Sequence, residues 1–387
     1  MEQKINSKKT EYLQSTLENF VTAPPPGRIL VNEEATKWFR DHGVEFYLQF
    51  LPSGETRGFN RSGAEAIHSL ASILFRENPK YQFGTNLERL ANAVANAVFF
   101  ITEGKIPKDV ASLERNVEGW FKQESIPKTF LIPCSISPYE ASSFSVGPVM
   151  FQSKKNFIDK ESRKTTYNIQ RHGLDSLFGF MDERGAKWIT EVNIDHCDDK
   201  NASIKADIAV DLSLTAIQLI IPVHFSREVA RITGRTVPQW VGTIYRSDRG
   251  LTSGIHRTDP CFGISEGVFE EILKKNRHIL DSVGQRVATF ISGISRMPNL
   301  EQAWCDAAYW LHEGLSERLD TIAITKIETA IEVLLGAESS KGSQRRLKEV
   351  FKAFYGLEEE QPLISGHPRT TKQFIESIVA SRSRILH

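Results

Sequence analysis

The 387 residues include only four cysteines, Cys134, Cys197, Cys261 and Cys305, and no two of them form a CxxC pair. That scarcity excludes a zinc ribbon or a disulfide framework and suits a reducing cytoplasm. Net charge is also missing, since 48 Lys and Arg balance 48 Asp and Glu. A globally basic nucleic-acid binder is therefore excluded, although local patches remain open. Long apolar runs are absent: the best, around residues 217–225, is short and interrupted by Gln218 and Pro222. No membrane span is expected, and MEQKINSKKTEYLQ at the N-terminus has no apolar signal core. The usual catalytic signatures are missing too: the chain has no Gly-rich loop ending in Lys-Ser/Thr, no GxGxxG, no GxSxG and no HExxH. Neither an internal repeat nor a low-complexity segment is found.

What is present reads as an α+β multidomain chain. Its length exceeds one ordinary core, so two or three domains are expected. Residues 1–126 read as a helical region, broken at PPPGR and at LPSGETRGFNRSG; in NLERLANAVANAVFFI, Leu87, Leu90, Ala91, Val94 and Val98 form one helical stripe. Residues 127–265 read as β-rich. LIPCSI, FSVGPVMF and KWITEVNI are short apolar or alternating runs between turn residues. IKADIAVDLSL alternates best and is predicted as a strand, and WVGTIYRS and LTSGIHRT as two more around Asp248-Arg249-Gly250. Residues 266–387 return to a helical period. Phe269, Ile272, Leu273, Leu280, Val283, Val287, Phe290 and Ile294 predict one helix ended by Pro298, and further helices follow. Gly336 and Gly356 are expected at helix C-termini, with Ser343 and Thr370 or Thr371 as N-caps.

Three places could hold chemistry. The densest set of metal-ligand residue types is Asp195-His196-Cys197-Asp198-Asp199, but adjacent residues cannot all reach one ion, and a polar turn between strands is the reading preferred; no metal or cofactor is expected. Arg227, Arg231, Arg235, Arg246, Arg249 and Arg257 outnumber Glu228 and Asp248 in their segment, with Trp240 and Tyr245 interleaved. Guanidinium forks beside aromatic rings suit phosphate and base contacts, so Arg231, Arg235, Arg246, Arg249 and Trp240 are RNA-binding candidates; a solvated sheet face is the bland alternative. The third place is the end of the chain, SRSRILH. Arg382 closes an amphipathic helix carrying Phe374, Ile375, Ile378 and Val379. Five residues advance a helix by about 500°, so Arg382 and His387 flank that apolar face about 140° apart. The bland alternative is a helix-capping arginine and a frayed terminal histidine.

From about residue 299 onward the chain resembles a HEPN domain, of the Apea-like HEPN group. RSRILH matches that group's R-S-[RK]-hydrophobic-hydrophobic-H stretch, and AAYWLHEGLSERLDTIAITKIETAIEVLLG resembles its long first helices. The resemblance implies a C-terminal all-α bundle with its core at about 299–387. It also implies a metal-independent endoribonuclease with Arg382, Ser383 and His387 as catalytic residues, or else a non-catalytic module for dimerisation or for binding RNA or nucleotides. A homodimer through the C-terminal helices is implied, as is a defence or toxin-like role under an unidentified trigger or neutralising protein. Arg345, Arg346, Lys348, Arg369, Lys372 and Arg384 would form the basic approach for RNA. The family pattern continues past its histidine with Gly and more helix, so a longer parent protein is expected. No family is suggested for residues 1–296, which would sense or control.

Overall fold

The computed structural model describes residues 2–26, 33–139, 141–161, 168–233, 240–247, 250–257, 265–317, 319–337, 339–364, 366 and 368–386. The chain forms two compact units, one of Met1–Lys128 with Asp195–Ser203 and one of Thr129–Ile194 with Ile204–His387.

The first unit comprises α1 (Glu2–Glu18), β1 (Phe20–Ala23), α2 (Glu33–Asp41), β2 (Phe46–Phe50), β3 (Thr56–Phe59), α3 (Arg61–Glu77), α4 (Pro79–Gly84), α5 (Leu87–Thr102) and α6 (Val110–Glu124). Its helices start where short polar side chains accept the free N–H groups of a first turn: Asn60 from Gly63, Asn86 from Arg89 and Asp109 from Ser112. Leu90, Ala91, Val94 and Val98 of α5 are buried as expected, packed with Ile67 and Leu70 of α3 and Leu113 and Val117 of α6. The three-stranded sheet β1-β3-β2 was not expected. β3 lies inside the segment read as a turn-rich break, because four residues are too few to show alternation. Phe59 of β3 meets Phe20 and Phe99 edge-on or tilted and seals the sheet onto α5.

The second unit begins with β4 (Lys128–Ser135), β5 (Phe144–Val146), β6 (Val149–Ser153), α7 (Lys154–Glu161), α8 (Asn168–Glu183) and β7 (Trp188–Ile194). α9 (Asp199–Ile220) follows, then a 3-10 turn (Val223–Glu228) and β8 (Ala230–Arg231). The sheet order is β5-β6-β7-β4-β8. The strands expected at LIPCSI, FSVGPVMF and KWITEVNI are present. IKADIAVDLSL is not a strand: it lies within the helix α9. Residues 209–218 are all buried, the polar Asp211, Ser213, Thr215 and Gln218 among them, so this stretch of helix is enclosed on every side and alternation is a by-product. β9 (Trp240–Ser247) and β10 (Gly250–Arg257) pair antiparallel as a separate two-stranded sheet, as expected; Asp248 and Arg249 lie outside the described residues.

The remaining helices are α10 (Glu266–Lys275), α11 (Arg277–Ser292), α12 (Pro298–Leu315), α13 (Asp320–Leu335), α14 (Ser340–Tyr355) and α15 (Thr371–Leu386). The single helix expected up to Pro298 is two, parted at Asn276. The second stops at Gly293, whose φ of 68° supplies the left-handed cap, and Pro298 instead opens the next helix. Gly336 and Gly356 cap α13 and α14 as expected, with φ of 60° and 66°. Ser339, not Ser343, caps the start of α14; Ser343 is buried one turn in. Thr370 caps α15, its Oγ1 accepting from Gln373 N at 3.2 Å.

Candidate functional site

The terminal stretch is helical. α15 packs against α13 and α14, burying Ile375 and Val379, with Phe374 edge-on to Phe351 of α14. Three hydrogen bonds tie its start to the preceding loop, Thr371 N and Oγ1 both donating to Gln361 O and Lys372 N to Glu359 O. Arg382, Ser383 and Arg384 stand in the last turns of this helix; their side chains, and the whole of His387, lie outside the described residues. In the sequence of α15, Arg382 is three positions past Val379 and seven past Ile375. On α13, against which α15 packs, Glu328 is buried at 2% exposure.

The basic approach to that end is largely matched by acids. Arg345 faces Glu349 one turn on at 3.9 Å, Lys348 holds Glu359 at 2.8 Å and Lys372 stands 4.0 Å from Glu360. Hydrogen bonding from Lys348 lowers the Glu359 carboxyl below the usual range. Arg346 reaches back over Gly336, where the carbonyls that end α13 favour a cation. Exposed pairs of this kind are worth about 0–1 kcal/mol and exchange readily for phosphate.

The arginine segment divides. Arg235 and Arg249 lie outside the described residues, as do the side chains of Trp240 and Arg246, whose backbones sit in β9. Arg231 is an interior residue. Its Nε and Nη2 both donate to the Asp211 carboxylate at 2.7 Å, and Nη1 lies 3.0 Å from Asp207. Burial presses on its charge, but these carboxylates outweigh it and hold the guanidinium more firmly protonated than usual. A cation so paired is spent inside the protein, which removes Arg231 from any ligand surface. Arg227 stays exposed and is held at the surface, donating through Nε to Glu317 O at 2.8 Å and standing 3.3 Å from Asp320.

Around Arg231 lies a network that sequence reading missed. Asp207 and Asp211 are one turn apart on α9, a spacing hidden once the segment is read as a strand. His312 of α12 is buried, with Nε2 3.6 Å from Asp211 Oδ1 and Nδ1 2.9 Å from Gln218 Oε1. Gln218 Nε2 donates to Ser226 O and Ser316 Oγ, so its oxygen is left to accept from His312. Cys134 of β4 sits beside this cluster, and burial pushes its thiol up to about 12, too high to serve as a nucleophile at neutral pH.

The run 195–199 is a cap, not a metal site, and it joins a strand to a helix instead of two strands. Asp198, fully buried, accepts from Asn201 N at 2.9 Å and from Thr85 Oγ1 at 2.6 Å, with Arg89 Nε at 3.4 Å. No group of three or more His, Cys, Asp or Glu among the described residues could hold a metal ion. Among those residues, too, no helix is long and apolar enough to cross a membrane. Compared with family models, with curated proteins and with solved structures, the chain matches none.

Proposed function

We propose that the chain is a metal-independent endoribonuclease of the HEPN type, with Arg382 and His387 as its reacting pair and Ser383 beside them. The observation that supports the reading is that residues 382–386 of the motif close α15, a helix packed against α13 and α14. The chemistry follows from the residue types. A neutral imidazole takes the proton of an RNA 2′-hydroxyl, whose oxygen attacks the adjacent phosphorus. The 5′-oxygen leaves with a proton and a 2′,3′-cyclic phosphate remains. A guanidinium fork stabilises the charge that grows on the phosphate oxygens. Arg345, Arg346, Lys348, Arg369, Lys372 and Arg384 guide RNA to this end by exchanging acidic neighbours for phosphates. A defence or toxin-like role, with the first unit as the controlling part, fits a nuclease that must be held silent.

The test is incubation of the purified protein with total RNA in EDTA. Cleavage leaving cyclic phosphate ends is expected, and His387→Ala or Arg382→Ala should slow it by about 10²–10⁴-fold. Cleavage at the wild-type rate by either variant would remove that residue from the mechanism.

A further inference from the structure

α1 and α3 lie antiparallel. Asn60, which caps the start of α3, meets Asn19 just past the end of α1, while Lys9 midway along α1 reaches Glu77, the last residue of α3. Between them runs a cleft of about 500 Å³, within the range that holds small ligands. α1 contributes Lys8 and Tyr12, one turn apart, and α3 contributes His68, Ser69, Ser72 and Arg76 along one stripe. Apolar side chains, among them Ile73, complete its wall.

Two cations at this cleft stand without an acid beside them. Other cations of the first unit are matched, as Lys9 is by Glu77 and Glu114, Arg57 by Glu103 and Arg89 by Glu124. Lys8 and Arg76 form no ion pair with any described residue, and Arg76 makes a single hydrogen bond, from Nε to Ser72 O. The one carboxylate at the cleft, Glu77, is neutralised by Lys9. Burial lowers the proton affinity of that ammonium, but hydrogen bonds to Glu114 and Glu77 more than offset this, so Lys9 stays charged. Two cations and a histidine therefore border a cleft whose floor offers two seryl hydroxyls.

We propose that this cleft binds a small phosphate monoester, the phosphate between Lys8 and Arg76 and its apolar or aromatic body along Tyr12 and Ile73. A phosphate has several acceptor oxygens and two charges to share, which suits a guanidinium, an ammonium and two hydroxyl donors. A neutral ligand would leave both cations without a counter-charge. The phenol ring of Tyr12 offers a flat, half-buried surface on which a base could stack. This proposal is independent of the reading of α15, and it gives the first unit a ligand that could act as a trigger.

The experiment is calorimetric titration of the full chain with AMP, inorganic phosphate and adenosine. Saturable binding of AMP is expected, with phosphate competing and adenosine binding at least about tenfold more weakly, the loss that one charge-assisted contact represents. Lys8→Glu and Arg76→Glu, both at exposed positions, should each weaken AMP by about tenfold or more. Circular dichroism should show both variants folded. Absence of saturable binding at millimolar AMP and phosphate overturns the proposal, as does binding of AMP by both folded variants as tightly as by the wild type. RNA cleavage in EDTA without AMP reports on α15 alone, so failure of either reading is seen separately.

Discussion

At the scale of single residues, Arg231 and Asp211 show how burial redefines a charge. Their side chains are 13% and 6% exposed, and the bidentate pair is joined by Asp207 at the rim and by His312 from α12. Two opposite charges taken from water are held only while each keeps the other. Asp211→Ala should therefore destabilise the fold by about 3–5 kcal/mol, since it strands a guanidinium in the interior. Replacing both, Arg231→Met with Asp211→Leu, should recover much of that loss, because the uncompensated charge is gone. Urea unfolding of the three proteins measures this. A double variant as unstable as Asp211→Ala would mean that the hydrogen bonds, not the charges, hold α9 to β8. Arg231 was singled out in the sequence as a ligand contact because composition reveals an arginine excess but not its partners. The partners, Asp207 and Asp211, lie twenty or more residues earlier, inside a stretch that reads as a strand.

At the scale of elements, two glycines of the second unit bring a turn and a helix together. Gly147, in the turn between β5 and β6 at φ 59°, and Gly284, in the middle of α11, meet backbone to backbone. A Cβ on Gly284 would stand 2.3 Å from Gly147 N, and one on Gly147 2.2 Å from Gly284 O. Neither neighbour is a side chain that could swing away. Gly284→Ala should cost about 1–3 kcal/mol through overpacking, read as a lower urea midpoint with an unchanged slope. An alanine variant as stable as the wild type would show that the turn yields freely. Neither glycine was notable in the sequence, because a close approach between distant segments leaves no local pattern. What was legible is what local physics decides. The stripe of α5, the short strands β4 to β7, the β9–β10 pair, and the caps at Gly336, Gly356 and Thr370 all follow from period or from turn chemistry. The reading failed where tertiary burial hides the period. α9 is buried on all sides over 209–218 and looked like a strand, while the brief strands β1 and β3 carried too few residues to register. The helical nature of the stretch up to Leu386 was legible from Ile375 and Val379, and the ion-paired state of the nearby lysines was not.

At the scale of the molecule, the first unit carries the cleft between α1 and α3, and the second carries the bundle that ends in α15. Within that bundle α13 is an unusual helix. Ile322, Ala323, Ile324, Ile327, Ala330, Ile331, Val333, Leu334 and Leu335 cover about 220° of its circumference at about 100° per residue, an apolar face wider than one packing contact needs. Yet only Glu328 and Ala330 are buried, while Ile322, Ile324 and Leu334 are exposed, as are Tyr309 and Trp310 on the neighbouring α12. Apolar surface of this kind concentrates where another chain covers it. A second copy is the partner that agrees with the proposed reaction site, which would draw one arginine and one histidine from each chain. The expected result is a homodimer in light scattering at micromolar concentration, with Ile322→Glu shifting it to monomer by placing a charge in the interface. The same variant should lose RNA cleavage while its circular dichroism stays that of the wild type. A wild-type monomer that cleaves RNA at full rate would separate activity from association, and the exposed side chains of α13 would then need another partner.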